Sequence, residues 1–588
     1  MLRLTLAIII ILSAGSIFGA EARMYIVDQD GFAQYRSIGG VVDVANDGDT
    51  IYIKPGIYRE HLVLDKRLTL MPLRGEEGVI NLAGDGNDIG IEVLADGCKI
   101  EGLTVSDFAG PGIYVESKGN EIRNNVLVNN VHGIFLRGAS ENLIENNQQE
   151  GGYTGIVLLS SRDNAIKGNA AKSSIFAGVL LNSSSANAIS GSRAEGCGRG
   201  IYLITESHEN RLEKNSVVDC GYGVILEGSS SANTIIGSDF ENATNAIALN
   251  FASKNVVREN SISYSTNGIV LFSATENDIF ENDLSELDAG IMISEGSGGN
   301  LLSRNRFENL ATGIVVTDSQ ANVLEGNVLA AVRWGLYVDG SEEGSFNNQI
   351  SESNQIDGKP ILYLYRRSGE AVSGREFGHV TLAFCEGCTV MESAVSNDAL
   401  FVRGSVGCKI LDNVVSGGLG MRIEDSDGNE IAGNEVSDNR YSGIFLVESH
   451  ENLIAENTLS RNSRNGLFLL GSDSNVVRMN VAEANGDVGM GLLSSNGTEI
   501  TGNSIIGNVV GISIRGSSGS IVYRNNLIDN EVQAEDDGGN LWDWGVLRGG
   551  NYWSDHSCTG KPCQSAPRPI GDLAADYYPF GERDGWVR

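Results

Sequence analysis

A phrase of about 22 residues, repeated over most of this chain, limits the folds open to it more than any other feature. Each copy opens on glycine and an apolar pair and closes on an asparagine-flanked aliphatic. Examples are GIFLRGASENLIENN from Gly133, GIVLLSSRDNAIKGN from Gly155 and GIFLVESHENLIAEN from Gly443. The glycines recur at steps of 21 to 23 residues from Gly90 to Gly335, with Ala246 standing in once, and again from Gly420 to Gly511. A unit this short, built of β-favouring runs cut by Gly, Ser and Asn, cannot bury its apolar face alone and must stack on its neighbours. The chain therefore reads as all-β: a single-stranded, right-handed parallel β-helix with a cap at each end. Three short strands per coil imply about 20 rungs and a rod on the order of 95 Å long.

The phrase also assigns faces. Residues one and three places after the glycine, such as Ile134 and Leu136 or Ile444 and Leu446, alternate as an inward strand face, and Ile144, Ile166 and Ile454 mark a second strand. Asn142, Asn164, Asn187, Asn210, Asn233, Asn255, Asn277, Asn300 and Asn322, then Asn452 and Asn475, hold one turn. They are expected to take left-handed backbone geometry and to bond from rung to rung. The residue two places after the glycine should point outward, yet Tyr114, Phe135, Tyr202, Tyr337, Phe445 and Phe468 occupy that place. Such a column either lies under the protein's own loops or offers ring faces to a sugar chain.

Composition narrows the partners. With 42 Lys and Arg against 76 Asp and Glu, a net charge of -34 disfavours nucleic acid and anionic lipid. Residues 1–22 have the layout of an export signal, with Arg3, an apolar run from Leu4 to Phe18 and Ala20-Glu21-Ala22 at its end. No later segment is apolar enough to span a bilayer. The expected mature protein is therefore periplasmic, at the cell surface or extracellular. Residues 23–89 read as an N-terminal cap with the first strands, and 90–530 as regular rungs. The period loosens at about 356–400, where Arg366 and Arg367 lie in an otherwise acidic chain and are further ligand candidates. Residues 531–588 hold Trp542, Trp544, Trp553 and Trp586 and read as a C-terminal cap.

Cysteine positions leave alternatives open. Cys197 and Cys220, like Cys388 and Cys408, lie one rung apart, a spacing that either a disulfide or a column of buried thiols satisfies. Cys558 and Cys563 could close a small loop. Cys385, Cys388 and Cys408 together form the best candidate for a soft metal, against core packing as the simpler account. No cofactor is required by the sequence. No cluster of carboxylates stands out as the centre of a lyase or hydrolase, since Glu141, Glu209, Glu276 and Glu451 are spread along the axis.

The repeat phrases, the segment GKPILYLY followed by VTLAFCEGCTV, and the closing GGNYWSDH and DYYPF together resemble the NosD-like exported β-helix proteins, within a wider group of carbohydrate-binding and sugar-hydrolysing β-helix domains. The resemblance implies an extracytoplasmic location. For the name-giving members it implies an accessory role in maturing the copper sites of nitrous oxide reductase, with an export or metal-maturation complex as partner. Where an acidic Gly-Asp run commonly follows NYWSD in the family, this chain has Cys558 to Pro569, which weakens the case for calcium there. The reading is a recognition or scaffold protein that binds a polysaccharide or cell-surface component along the rod. Its alternatives are a copper-maturation factor and a polysaccharide lyase or glycoside hydrolase.

Overall fold

The computed structural model describes residues 22–84, 86 and 88–587. The export-signal expectation covers residues 1–22, of which 1–21 lie outside the described ones. The chain winds as a parallel β-solenoid of about 24 turns. The count exceeds the expected 20 because residues before Gly90 already make rungs. Thr50–Ile53 and Thr69–Pro72 pair in register with each other and belong to the sheet that continues through Lys99–Glu101.

Each rung contributes one strand to each of three parallel sheets, and identical places stack. Ile134 lies between Ile113 and Ile156, and Leu136 between Val115 and Leu158; all six are buried. An aliphatic side chain so enclosed stabilises by about 1.5–3 kcal/mol, and only the next rung can enclose it. The glycine that sets the period is a matter of space. A Cβ on Gly133 would lie 2.6 Å from the Gly155 carbonyl oxygen and 2.8 Å from the Gln149 side chain.

The asparagines face inward and form continuous ladders. The Asn142 backbone N–H and Nδ2 both donate to Asn164 Oδ1, at 3.0 and 2.9 Å, and Nδ2 also donates to the Ser117 carbonyl at 3.1 Å. The same pattern runs through Asn187, Asn210 and Asn233 to Asn348. The left-handed geometry expected of these asparagines falls instead on the residue before them. Glu141, Glu209, Glu276 and Glu451 have φ of 58°, 57°, 55° and 56°. That residue turns the corner, which frees the asparagine side chain to reach into the turn and saturate the backbone groups exposed there.

Both ends are covered. At the start, the helix Ile38–Val42 lays Ile38, Val41 and Val42 over the first rungs, with Ser37 Oγ accepting from Gly40 N–H. At the finish, the buried Trp542 and Trp553 close the last rung and donate through Nε1 to Asp536 at 2.8 Å and Asp576 at 2.9 Å.

The solenoid has one joint, at the stretch where the sequence period loosens. After Gln355–Ile356 the chain turns at Asp357-Gly358, and Lys359–Tyr365 pairs antiparallel with the strand it has just left. From there the coil resumes with short rungs, through His379–Ala383 and Ala399–Arg403. These three strands are largely buried on both faces and serve two cores. Leu362, Leu364, Val380, Leu382, Leu400 and Val402 face the second coil's interior, while Ile361, Ala383 and Phe401 pack into the core of the first coil. The side of the second coil thereby closes the open end of the first. Asp398 seals the exposed edge of the first coil's last glycine-led strand by accepting from Leu336 N–H at 3.0 Å, and is itself held by His379 Nδ1 at 2.9 Å.

Candidate functional site

Where the second coil meets the first, the angle between them leaves a groove of about 760 Å³. Trp334 and Tyr337, on the last rung of the first coil, form one wall. The other wall is the outer face of the second coil, built from two columns. Two places after the glycine stand Arg422, Phe445, Phe468, Gly491 and Ser513, and Glu535, where Gln533 takes the glycine's place, continues the stack in register. Two places before the glycine stand Tyr441, Arg464 and Asp487. The stack from Arg422 to Glu535 runs five rung spacings, about 24 Å.

The rings are held firmly. Trp334 meets Tyr441 edge to face, with ring centres 6.1 Å apart, and Phe445 and Phe468 lie 5.9 Å apart. Gly491 gives Phe468 room to lean, since a Cβ there would lie 2.5 Å from the ring. The Arg422 guanidinium lies 5.7 Å from the Phe445 ring centre and bonds Glu424, which also accepts from Arg403 at 2.8 Å. Arg515 donates to Glu535 at 2.6 Å. Tyr337 donates to Asp339 at 2.8 Å, and burial together with that carboxylate pushes its phenol well above the usual range, so it keeps its proton. The indole Nε1 of Trp334 is buried and has no partner.

Of the expected ligand residues, Tyr337, Phe445 and Phe468 meet in this groove. Tyr114, Phe135 and Tyr202 belong to a separate ladder on the first coil. There Tyr153 and Phe176 stack at 5.0 Å, and Arg199 lies 4.7 Å from the Phe176 ring centre and 4.9 Å from that of Tyr202. Tyr114 is 5.8 Å from Phe135 in the same ladder. Arg366 bonds Glu343 and Arg367 pairs with Glu370 at 3.8 Å; both lie outside the groove. Trp334, Tyr441, Arg464 and Asp487 went unremarked in the sequence. The column two places before the glycine shows three of them, but only once the second coil is known to turn that edge toward the first.

Cys558 and Cys563 are bonded to each other. Cys197, Cys220, Cys388 and Cys408 are free and buried, so neither of the rung-to-rung pairings left open by the sequence is made. These thiols stand in the turn columns that asparagine and serine hold elsewhere: Cys197 N–H donates to Cys220 Sγ, and Cys408 N–H to Asn429 Oδ1.

The expected soft-metal trio Cys385, Cys388 and Cys408 packs as buried thiols. The three are enclosed in the second core, and Cys385 and Cys388 donate to the carbonyls of Leu364 and Arg367. Burial pushes the Cys385 thiol up to about 12 and that of Cys408 up to about 11. Among the described residues no group of three or more His, Cys, Asp or Glu side chains is placed to hold a metal ion. The two carboxylates lining the groove are Asp487 and Glu535, and Glu535 is occupied by Arg515.

The family model described as "Periplasmic copper-binding protein (NosD)" matches residues 72–247, 229–360 and 352–558. No curated protein matches the chain. Among solved structures, the A-module of mannuronan C-5 epimerase AlgE6 from Azotobacter vinelandii is 14% identical, covering 54% of this chain and 93% of that one, at a TM-score of 0.36. The catalytic domain of a GH87 α-1,3-glucanase in complex with nigerose is 13% identical, covering 57% and 69%, at 0.39. Tailspike protein 3 of bacteriophage CBA120 is 9% identical, covering 56% and 59%, at 0.34. These likenesses are confined to the fold.

Proposed function

The chain belongs to the NosD family of β-helix proteins, and on that premise we propose that it is an exported recognition protein that holds a carbohydrate chain in the groove at its joint. The observation that carries this reading is the groove's lining, in which Trp334, Tyr337, Tyr441, Phe445 and Phe468 stand among arginines within a space of about 760 Å³. Aromatic rings suit the apolar faces of sugar rings, while guanidinium and amide groups suit hydroxyls. The volume lies within the range of ligand sites, and a column about 24 Å long matches an extended oligomer rather than a single ring. The family description as periplasmic supports export, and among the described residues no helix is long and apolar enough to cross a membrane.

The test is retention of the purified chain on immobilised polysaccharides. Phe445→Ala and Trp334→Ala are each expected to weaken retention at least tenfold, with Tyr202→Ala neutral. The reverse pattern would move the site to the ladder on the first coil. Retention by none of the polymers would defeat the reading.

A further inference from the structure

The groove gathers positive charge in a protein that has little to spare. Many arginines stand against carboxylates on the neighbouring rung, as Arg304 does with Glu281 at 2.8 Å and Arg461 with Asp438 at 2.7 Å. Arg464 makes no such pair. Its guanidinium lines the groove 5.4 Å from the Tyr441 ring centre, and among the described residues no carboxylate lies within ion-pairing distance of it.

Arg333 and Arg440, next in sequence to Trp334 and Tyr441, likewise have no carboxylate within ion-pairing distance among the described residues, and Arg440 Nη1 donates to the Arg333 carbonyl at 3.2 Å, tying the two coils together. Arg422 and Arg515, also in the lining, are held by Glu424 and Glu535, so the guanidiniums without a carboxylate gather at the Trp334–Tyr441 end of the groove, where Asp487 is the nearest acidic lining residue on the second coil. This cluster of unpaired cations sits on a chain of net charge -34.

We infer that the sugar chain held here is acidic, carrying oxyanion groups along its length, an inference that rests on the carbohydrate reading of the same groove. Two physical reasons support it. Planar guanidinium binds carboxylates and similar oxyanions through paired hydrogen bonds, and a neutral sugar makes no such use of an unpaired cation. A concave site focuses its field, so a positive groove draws an anionic polymer that the rest of the surface repels, and that repulsion keeps the polymer from spreading over the rod. Arg464, stacked on Tyr441 and free of an ion pair, is the residue that recognises the oxyanion. Phe445 and Trp334 recognise the ring faces that acidic and neutral sugars share.

The experiment measures binding of the full mature chain to polygalacturonate and hyaluronate, each beside its carboxyl-reduced neutral form. At least one acid polymer is expected to bind tenfold or more tighter than its neutral form, with affinity falling steeply as salt is raised. Arg464→Gln should remove most of that preference, weakening the acid form's binding far more than that of the neutral form. Arg464 is exposed, so an unchanged melting temperature is expected to accompany the loss. Equal binding of acid and neutral forms, or no effect of Arg464→Gln, overturns the inference while leaving carbohydrate binding intact. Binding of neither form, with Phe445→Ala also silent, overturns the carbohydrate reading itself.

Discussion

At Asn277 the economy of the fold is visible in one side chain. Its Oδ1 accepts from both the N–H and the Nδ2 of Asn255, and its own Nδ2 donates to the Ala252 carbonyl and to Asn300 Oδ1. Asn277→Ala would leave the Asn255 N–H buried without a partner and take one bond each from Asn255 Nδ2, which keeps the Ser230 carbonyl, and from the Ala252 carbonyl, which keeps the Thr275 N–H. At about 1–3 kcal/mol for the orphaned donor and about 1 kcal/mol for each lost bond, the expected loss is about 2–4 kcal/mol, read as a lower urea midpoint. The same ladder shows what could be read beforehand. The asparagine column and the glycine period stand in the sequence because each residue answers to its equivalent one rung away. Which residue takes the left-handed turn was not readable, since Glu141 and Ala186 do it equally well. The rung-to-rung bonds, not the intrinsic preference of the side chain, decide it.

Among the elements, the three strands of the joint are the least ordinary. In GKPILYLY, VTLAF and ALFVR both faces of the strand are largely apolar, a pattern that in a parallel sheet means cover on both sides. The sequence could say that something covers them, but not that the something is the end of an earlier coil. The reversal at Asp357-Gly358 reads as an ordinary turn, and only its long-range pairing distinguishes it. Half of the groove was legible for the same reason. Phe445 and Phe468 belong to a column the period displays, whereas Trp334 joins them by a contact across the joint. Phe401 gives a direct test, because it lies in the second coil yet packs into the core of the first. Phe401→Ala is expected to cost about 3–5 kcal/mol. Hydrogen exchange should rise in Val323–Glu325 and Trp334–Asp339, the last rungs of the first coil, far away in sequence.

For the molecule as a whole, pH dependence should run through the C-terminal cap. Asp576 is fully enclosed, and burial raises its carboxyl from the ordinary 3.8 to about 7, against the opposing hydrogen bonds from Trp553, Asn551 and Tyr578. The folded chain therefore keeps a proton between about pH 4 and 7 that the unfolded chain has lost. Its contribution to stability is full at low pH and is lost as pH rises through about 7, up to about 4 kcal/mol for a shift of this size. Because 76 acidic side chains also alter the general charge repulsion, the informative quantity is the difference from Asp576→Asn. That variant should show a flatter stability profile between pH 4 and 7, followed by the fluorescence of Trp542 and Trp553.

The reversal of chain direction at Asp357-Gly358 has one more effect. Because the first coil grows away from the joint, a rung gained or lost early in it changes its length by about 4.8 Å and leaves the joint untouched, whereas one gained in the second coil lengthens the groove's wall by the same step. The molecule is thus a pair of calipers in which duplication in one arm alters only its reach, and duplication in the other alters the span of the grip.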